Sequence, residues 1–174
     1  SSQIRQAENG GTTKKTKRNT IIMNAYSTLL RYIRNLAEQD EYIKTITTGE
    51  DIDLNKGNLF PLFNIDITEA TFTSTATISF SLNIQVLDIR EINKENVNDK
   101  FYLNDNSTDN FNSTLTCLNA LWVKMNRDFA TNNITASDSP TLQQITYSDK
   151  NLLDGWDMSF DVEGPSGTNM MDYN

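Results

Sequence analysis

Two stretches of the chain place apolar residues three and four positions apart, which is the spacing of an amphipathic helix. The first follows a possible N-cap at Thr20 and ends near Glu38; its apolar positions are Ile22, Tyr26, Leu29, Ile33 and Leu36. The second follows a possible N-cap at Ser113; its apolar positions are Leu115, Leu118, Trp122, Met125 and Phe129. Each predicted helix has one apolar stripe, which another element must cover.

Two other stretches alternate apolar and polar residues, as half-buried strands do. The first spans residues 63–67; after a turn near Thr73 the second spans residues 78–86. The alternation changes phase at Val86 and Leu87, which suggests a β-bulge or a bend. Shorter strands are predicted over residues 42–48 and 142–147, and a last strand over residues 156–162 after a turn at 151–155.

This order of elements predicts an α+β fold, with an antiparallel sheet that contains a long β-hairpin and two amphipathic helices packed on one face. The predicted organisation is a flexible basic arm at residues 1–19, a single domain at 20–165 and a C-terminal tail at 166–174. The chain has 174 residues, which suffices for one domain with its own core. No apolar run reaches the length of about 20 residues that a membrane-spanning helix needs, so no membrane association is expected.

Charge is unevenly distributed along the chain. Residues 1–20 carry five basic residues and one acidic residue, so with a total of −8 the remaining residues carry −12. The basic residues of this arm include Lys14, Lys15, Lys17 and Arg18. The arm is either a solvated terminus or a tether that orders on an acidic neighbour or on nucleic acid, whereas the acidic body should repel DNA.

The composition excludes several kinds of active site. The chain has no His and one Cys, which removes His-based nucleophile arrangements, His-ligated metals, disulfide frameworks and Cys-based zinc sites. The apolar fraction of 37% is low, and Asn and Thr make up the difference. We interpret this as polar outer faces on ordered strands, with codon bias in an AT-rich genome as the alternative.

Candidate motifs for chemistry are weak. Residues 105–109 are rich in Asp and Asn but lack the Gly and Glu of a calcium-binding loop. Asp157 and Asp161 lie on the outward face of the last predicted strand, about 13 Å apart, too far for a glycosidase pair. Cys117 is interpreted as a small core residue, and the two tryptophans as core anchors. No catalytic, cofactor-binding or metal-binding residue is predicted, and no cofactor.

The longest predicted strand suggests a route to assembly. The run from Thr75 to Arg90 would extend about 50 Å, which is long for a domain of this size. Part of it should project or lie at an open sheet edge, where a neighbouring copy could pair with it. The residues predicted to contact other subunits are Thr77, Ser79, Ser81 and Asn83, together with Lys14, Lys15, Lys17 and Arg18 of the arm.

Three segments carry a resemblance to a known family: NLFPLFNI at residues 58–65, LNIQVLDI at 82–89 and DGWDMSFDV at 154–162. With the order of helices and strands, residues 20–165 resemble small neck and tail-terminator proteins of tailed bacteriophages, including crAss-like phages and their relatives. The resemblance implies a virion protein without enzymatic activity or cofactor, assembled in the host cytoplasm. It further implies rings of six or twelve copies that contact portal-side or tail proteins. From the acidic charge of the body we infer that DNA passes through such a ring without sequence-specific binding, provided that acidic side chains face the lumen.

Two other functions stay open on the sequence alone. One is an assembly chaperone or adaptor that binds a viral partner transiently. The other is a hydrolase that uses Asp and Glu side chains with a divalent metal.

Overall fold

The computed structural model describes residues 25–49, 60–92, 105–137, 139–148 and 152–166. The elements in chain order are α1 (Ala25–Glu38), β1 (Thr45–Thr48), β2 (Leu62–Phe72), β3 (Thr77–Ile89), α2 (Ser107–Thr131), β4 (Thr135–Ala136), β5 (Thr141–Tyr147) and β6 (Leu153–Pro165). The predicted arm at residues 1–19 lies outside the described residues, as does the tail beyond Ser166.

The six strands form one sheet around a long three-stranded centre. β3 pairs antiparallel with β2 on one side and with β6 on the other, and β1 pairs with the first half of β2. β4 and β5 pair with successive parts of β6 at the opposite margin. The predicted α+β class is confirmed. The β1–β2 pair is parallel, an exception to the predicted antiparallel sheet.

Both helices pack on one face of this sheet, as predicted, and the main core lies between the helices and the sheet. The core is supplied by alternate residues of the three long strands and by the apolar stripes of α1 and α2. Leu29, Ile33 and Leu36 of α1 are buried, but Tyr26 is 46% exposed, so its predicted place in the stripe is wrong. The buried stripe of α1 is rotated toward Thr28 and Tyr32. Tyr26 makes an edge-type ring contact with Phe80 at the border of the core.

Helix α2 begins at Ser107, six residues before the predicted N-cap at Ser113. The Asp-rich segment forms its first turn: the Ser107 backbone N–H donates to Asp105 Oδ1 at 3.1 Å. The side chain of Asn110 donates to the Ile89 carbonyl at 2.9 Å, which fixes the start of the helix against the end of β3. Cys117 is buried, as predicted, and both tryptophans pack against the core.

The opposite face of the sheet, here called the outer face, is not uniformly polar. Leu62, Leu87 and Leu153 form a second buried cluster there. This cluster explains the change of phase at Val86 and Leu87: each residue is buried, but on opposite faces. No bulge occurs at that point; the register shift lies in β2, between Ile67 and Glu69.

The predicted open edge along residues 75–90 is wrong, because β3 is the central strand. Its residues from Thr77 to Ile89 have a partner in β6, and nearly all of them have one in β2 as well. Alternation of apolar and polar residues reports which face is covered, and it says nothing about whether the strand has neighbours on both sides. The most exposed part of these strands is the end of the β2–β3 hairpin, where residues 69–72 of β2 are exposed.

Gly155 lies within β6, so the predicted turn at residues 151–155 does not extend that far. A Cβ atom at this position would lie 1.9 Å from the Val86 carbonyl oxygen, and that oxygen belongs to the backbone of the central strand. Only glycine fits here without moving β3 away from β6.

We therefore expect Gly155→Ala to lower the free energy of unfolding by about 3 kcal/mol, since the strands must separate to admit the methyl group. Urea denaturation followed by circular dichroism measures this loss. Ser159→Ala, at an exposed position of the same strand, is the control and should change stability by less than about 0.5 kcal/mol. Equal effects of the two substitutions would contradict the close approach at Gly155.

Candidate functional site

The four strand residues predicted to contact other subunits lie on the outer face of β3 and are half-buried. Three of them are engaged within the chain. Thr77 Oγ1 hydrogen-bonds the hydroxyls of Thr73 and Ser74 in the hairpin turn, each at 2.7 Å. Ser81 Oγ donates to Asp161 Oδ1 at 2.6 Å, and Asn83 Nδ2 to Asp157 Oδ2 at 3.0 Å. These side chains hold neighbouring strands and the turn together.

The fourth residue, Ser79, lies near the hairpin end of the same face. Lys14, Lys15, Lys17 and Arg18 lie outside the described residues, so the predicted arm contacts stay predictions.

Asp157 is the centre of a small polar network on the outer face. Its Oδ2 atom accepts from Asn83 and, at 3.3 Å, from Gln85 Nε2. The remaining acceptors, Asp157 Oδ1, Asn83 Oδ1 and Gln85 Oε1, are buried without a hydrogen-bond partner. The network is therefore short of donors, and it includes a single carboxylate.

A second polar cluster lies where the helix face meets the end of the sheet. Asp154 is completely buried on β6, and both of its oxygens accept hydrogen bonds from the Arg90 guanidinium. Thr146 Oγ1 donates to the same carboxylate at 3.1 Å. The hydrogen bonds that Arg90 donates to Asp154 raise the pKa of the guanidinium. Hydrogen bonds from Ser107 lower the pKa of Asp105, with a smaller effect from Arg90, 3.9 Å away.

Two acid groups beside this cluster, the half-buried phenol of Tyr42 and the buried thiol of Cys117, stay protonated at neutral pH. Tyr42 donates to Asp88 Oδ2 at 2.9 Å, and burial, reinforced by Asp88, raises the pKa of its phenol. Burial, reinforced by Asp40 at 3.8 Å from the sulfur, raises the pKa of Cys117 to about 12. Both groups keep their protons, so neither supplies a nucleophile or a base.

The described residues contain no group of three or more His, Cys, Asp or Glu side chains placed to hold a metal ion. In the same part of the chain, neither helix combines the length and the apolar character that crossing a bilayer requires.

The lateral margins of the sheet are the surfaces that remain for binding. At one margin β1 pairs with residues 62–65 of β2 only, and no strand among the described residues pairs with the outer edge of β2 beyond that point. Phe72, the last residue of β2, is 74% exposed.

At the other margin β5 has the sequence TLQQITY, which contains no charged residue. Its first four residues are exposed, and none of the described residues pairs with its outer edge. Edge strands are normally protected by charges, prolines or bulges within them, and β5 has none of these.

A groove of about 380 Å³ lies between β5 and α2 on the helix face. Its lining is mostly apolar and includes Leu115, Leu118, Trp122, Pro140, Leu142 and Met158. Leu142, on β5, is 43% exposed. Sequence reasoning missed this margin, although the absence of charge over residues 141–147 was a signal for it.

No protein-family model matches the chain, and a search of curated protein sequences finds no significant match. Function therefore has to be inferred from the residues and their geometry.

Loss of the Arg90 side chain should destabilise the fold, because it leaves the buried Asp154 carboxylate without its charged partner. We expect Arg90→Ala to lower the free energy of unfolding by about 3 kcal/mol in urea denaturation. Arg34→Ala is the matched control: Arg34 pairs with Glu38 at 3.8 Å in an exposed position. That control should cost less than about 0.5 kcal/mol, and a cost similar to that of Arg90→Ala would contradict the role of the buried pair.

Cys117 should resist alkylation in the folded protein. With a pKa near 12 its thiolate fraction at pH 8 is roughly a thousandfold below that of an ordinary thiol. Iodoacetamide labelling followed by mass spectrometry should show modification only after unfolding in urea. The control variant combines Cys117→Ala with Ser159→Cys, and its exposed new thiol should react at once. Rapid labelling of Cys117 in the folded native protein would contradict the burial of this thiol.

Proposed function

We propose that this protein is a ring-forming structural component of a tailed-phage virion, at the head–tail connector or the tail terminus. The proposal rests on one observation. Among the described residues, the sheet has two different margins on opposite sides whose backbone groups have no strand to pair with. A ring needs such an arrangement, because each copy must present two complementary surfaces to its two neighbours.

The direction of the strands supports head-to-tail joining. β2 runs antiparallel to β3, β3 to β6, and β6 to β5. β5 and β2 therefore run in opposite directions within one copy. When a second copy is placed beside the first in the same orientation, its β2 margin meets β5 antiparallel. Antiparallel pairing is the more stable arrangement per residue, and it extends the sheet from copy to copy.

The chemistry of the described residues supports a structural role. Arg90 is bonded to Asp154 and Tyr42 to Asp88, so these ionisable groups are used within the fold, and the chain has no His. The resemblance of residues 20–165 to neck and tail-terminator proteins points the same way. In this role the partners are further copies of the chain, in a ring of six or twelve, and neighbouring portal-side or tail proteins.

Charge favours a channel through which DNA moves freely. Outside the first 20 residues the chain carries a net −12, and Asp161 and Glu163 are exposed on the outer face of β6. If this face lines the ring, it repels the phosphate backbone and gives no sequence-specific contact. The acidic lumen belongs to the same proposal.

Negative-stain electron microscopy of the purified full-length chain tests the ring. Class averages should show closed rings of a single symmetry, six-fold or twelve-fold, at high protein concentration or on addition of a neck or tail partner. Only monomers or two-fold dimers under both conditions would contradict the proposal. Mass spectrometry of purified particles separates a virion component, present in stoichiometric copies, from a chaperone, which is absent from the mature particle.

A further inference from the structure

We propose that the seam between neighbouring copies forms where the end of the β2–β3 hairpin of one copy packs on β5 of the next, with Phe72 inserted into the groove between β5 and α2. This inference rests on the proposed ring and specifies its interface. The occupant of the groove is a second copy of this chain.

The hairpin end has an apolar side chain with nothing to cover it. Phe72 is the most exposed large apolar residue among those described. The bulge at Thr68 and the charge of Glu69 restrict pairing on the outer edge of β2, which leaves residues 70–72 as the uncharged run at that margin. An exposed phenylalanine at the end of a free edge is suited to anchor an added strand.

The groove and Phe72 lie on the same face of the sheet. Phe72 is opposite Ile78, and Ile78 belongs to the core under the helices. Leu142 is opposite Met158, which belongs to the same core. When the sheet continues from β5 into the β2 of a neighbour, Phe72 therefore projects toward the side where the groove opens. The neighbouring Thr71 projects toward the outer face.

The two surfaces also match in chemistry. β5 has no charge to repel the incoming strand, and its exposed Leu142 borders the groove. The aromatic ring of Trp122 and the Met158 side chain provide apolar contacts inside it. Insertion of Phe72 would cover two of the large exposed apolar side chains, Phe72 and Leu142, in one contact.

Cysteine cross-linking tests the seam directly. The native cysteine is removed by Cys117→Ala, and two full-length proteins of different mass carry Phe72→Cys or Leu142→Cys. After mild oxidation of the mixture, we expect the mixed disulfide dimer to exceed either homodimer at least tenfold. Thr71→Cys replaces Phe72→Cys in the control mixture, and its mixed dimer should be at least tenfold less abundant, because that side chain faces away from the groove.

A second pair of variants tests the anchor. Phe72→Asp should abolish rings, whereas Thr71→Asp, which adds the same charge one residue earlier, should leave them intact. Phe72 is exposed in the monomer, so both variants should keep the circular dichroism spectrum and melting temperature of the native chain at a dilution at which no rings form.

The outcomes separate the seam from the ring. Rings that persist in Phe72→Asp, with no mixed disulfide, overturn the seam and leave the proposed function standing. Predominant Leu142→Cys homodimers also overturn the seam, since they indicate a two-fold contact between β5 strands. Mixed disulfides in a protein that forms only open chains overturn the ring and retain the seam.

Discussion

The pairing of β3 on both sides is the constraint on which the rest of the structure depends. It joins three long strands, β2, β3 and β6, into a rigid centre whose inner face carries the apolar residues under both helices. Because these strands use their hydrogen bonds on one another, the unpaired backbone groups are displaced to the lateral margins. The short β1 pairs with the first four of the eleven residues of β2 at one margin, and β5 forms part of the other margin.

The buried polar residues reinforce this centre. Arg90 and Asp154 join the ends of β3 and β6, and Asp105 brings the start of α2 to the same place. On the outer face Ser81 and Asn83 bridge β3 to the carboxylates of β6. Each of these side chains therefore links neighbouring elements of the fold.

Local patterns in the sequence predicted the elements well because periodicity depends on neighbours in the chain. The two helices, the hairpin turn after Phe72 and the shared helix face all follow from spacing alone. The start of α2 did not, because the N-cap is Asn106 and not Ser113, and contacts with Ile89 and Asp105 hold the first turn in place.

The order of the strands in the sheet could not be predicted from the sequence, for a related reason. A central strand with a polar outer face has the same alternation as an edge strand, and pairing between residues far apart in sequence decides which it is. The contact residues predicted on β3 lie on the outer face of the sheet, and three of the four are hydrogen-bonded within the chain. The free margins were missed because their signals are a lack of charge in TLQQITY and one exposed phenylalanine.

Hydrogen–deuterium exchange of β5 as a function of protein concentration shows whether another copy of the chain completes this margin. If another copy completes the margin, the β5 amides that point away from β6 exchange rapidly in dilute protein and become protected on assembly, whereas the amides of β3 are protected throughout. Strong protection of all β5 amides in a dilute monomer, unchanged by concentration, would show that the sheet is complete by itself and would contradict the account.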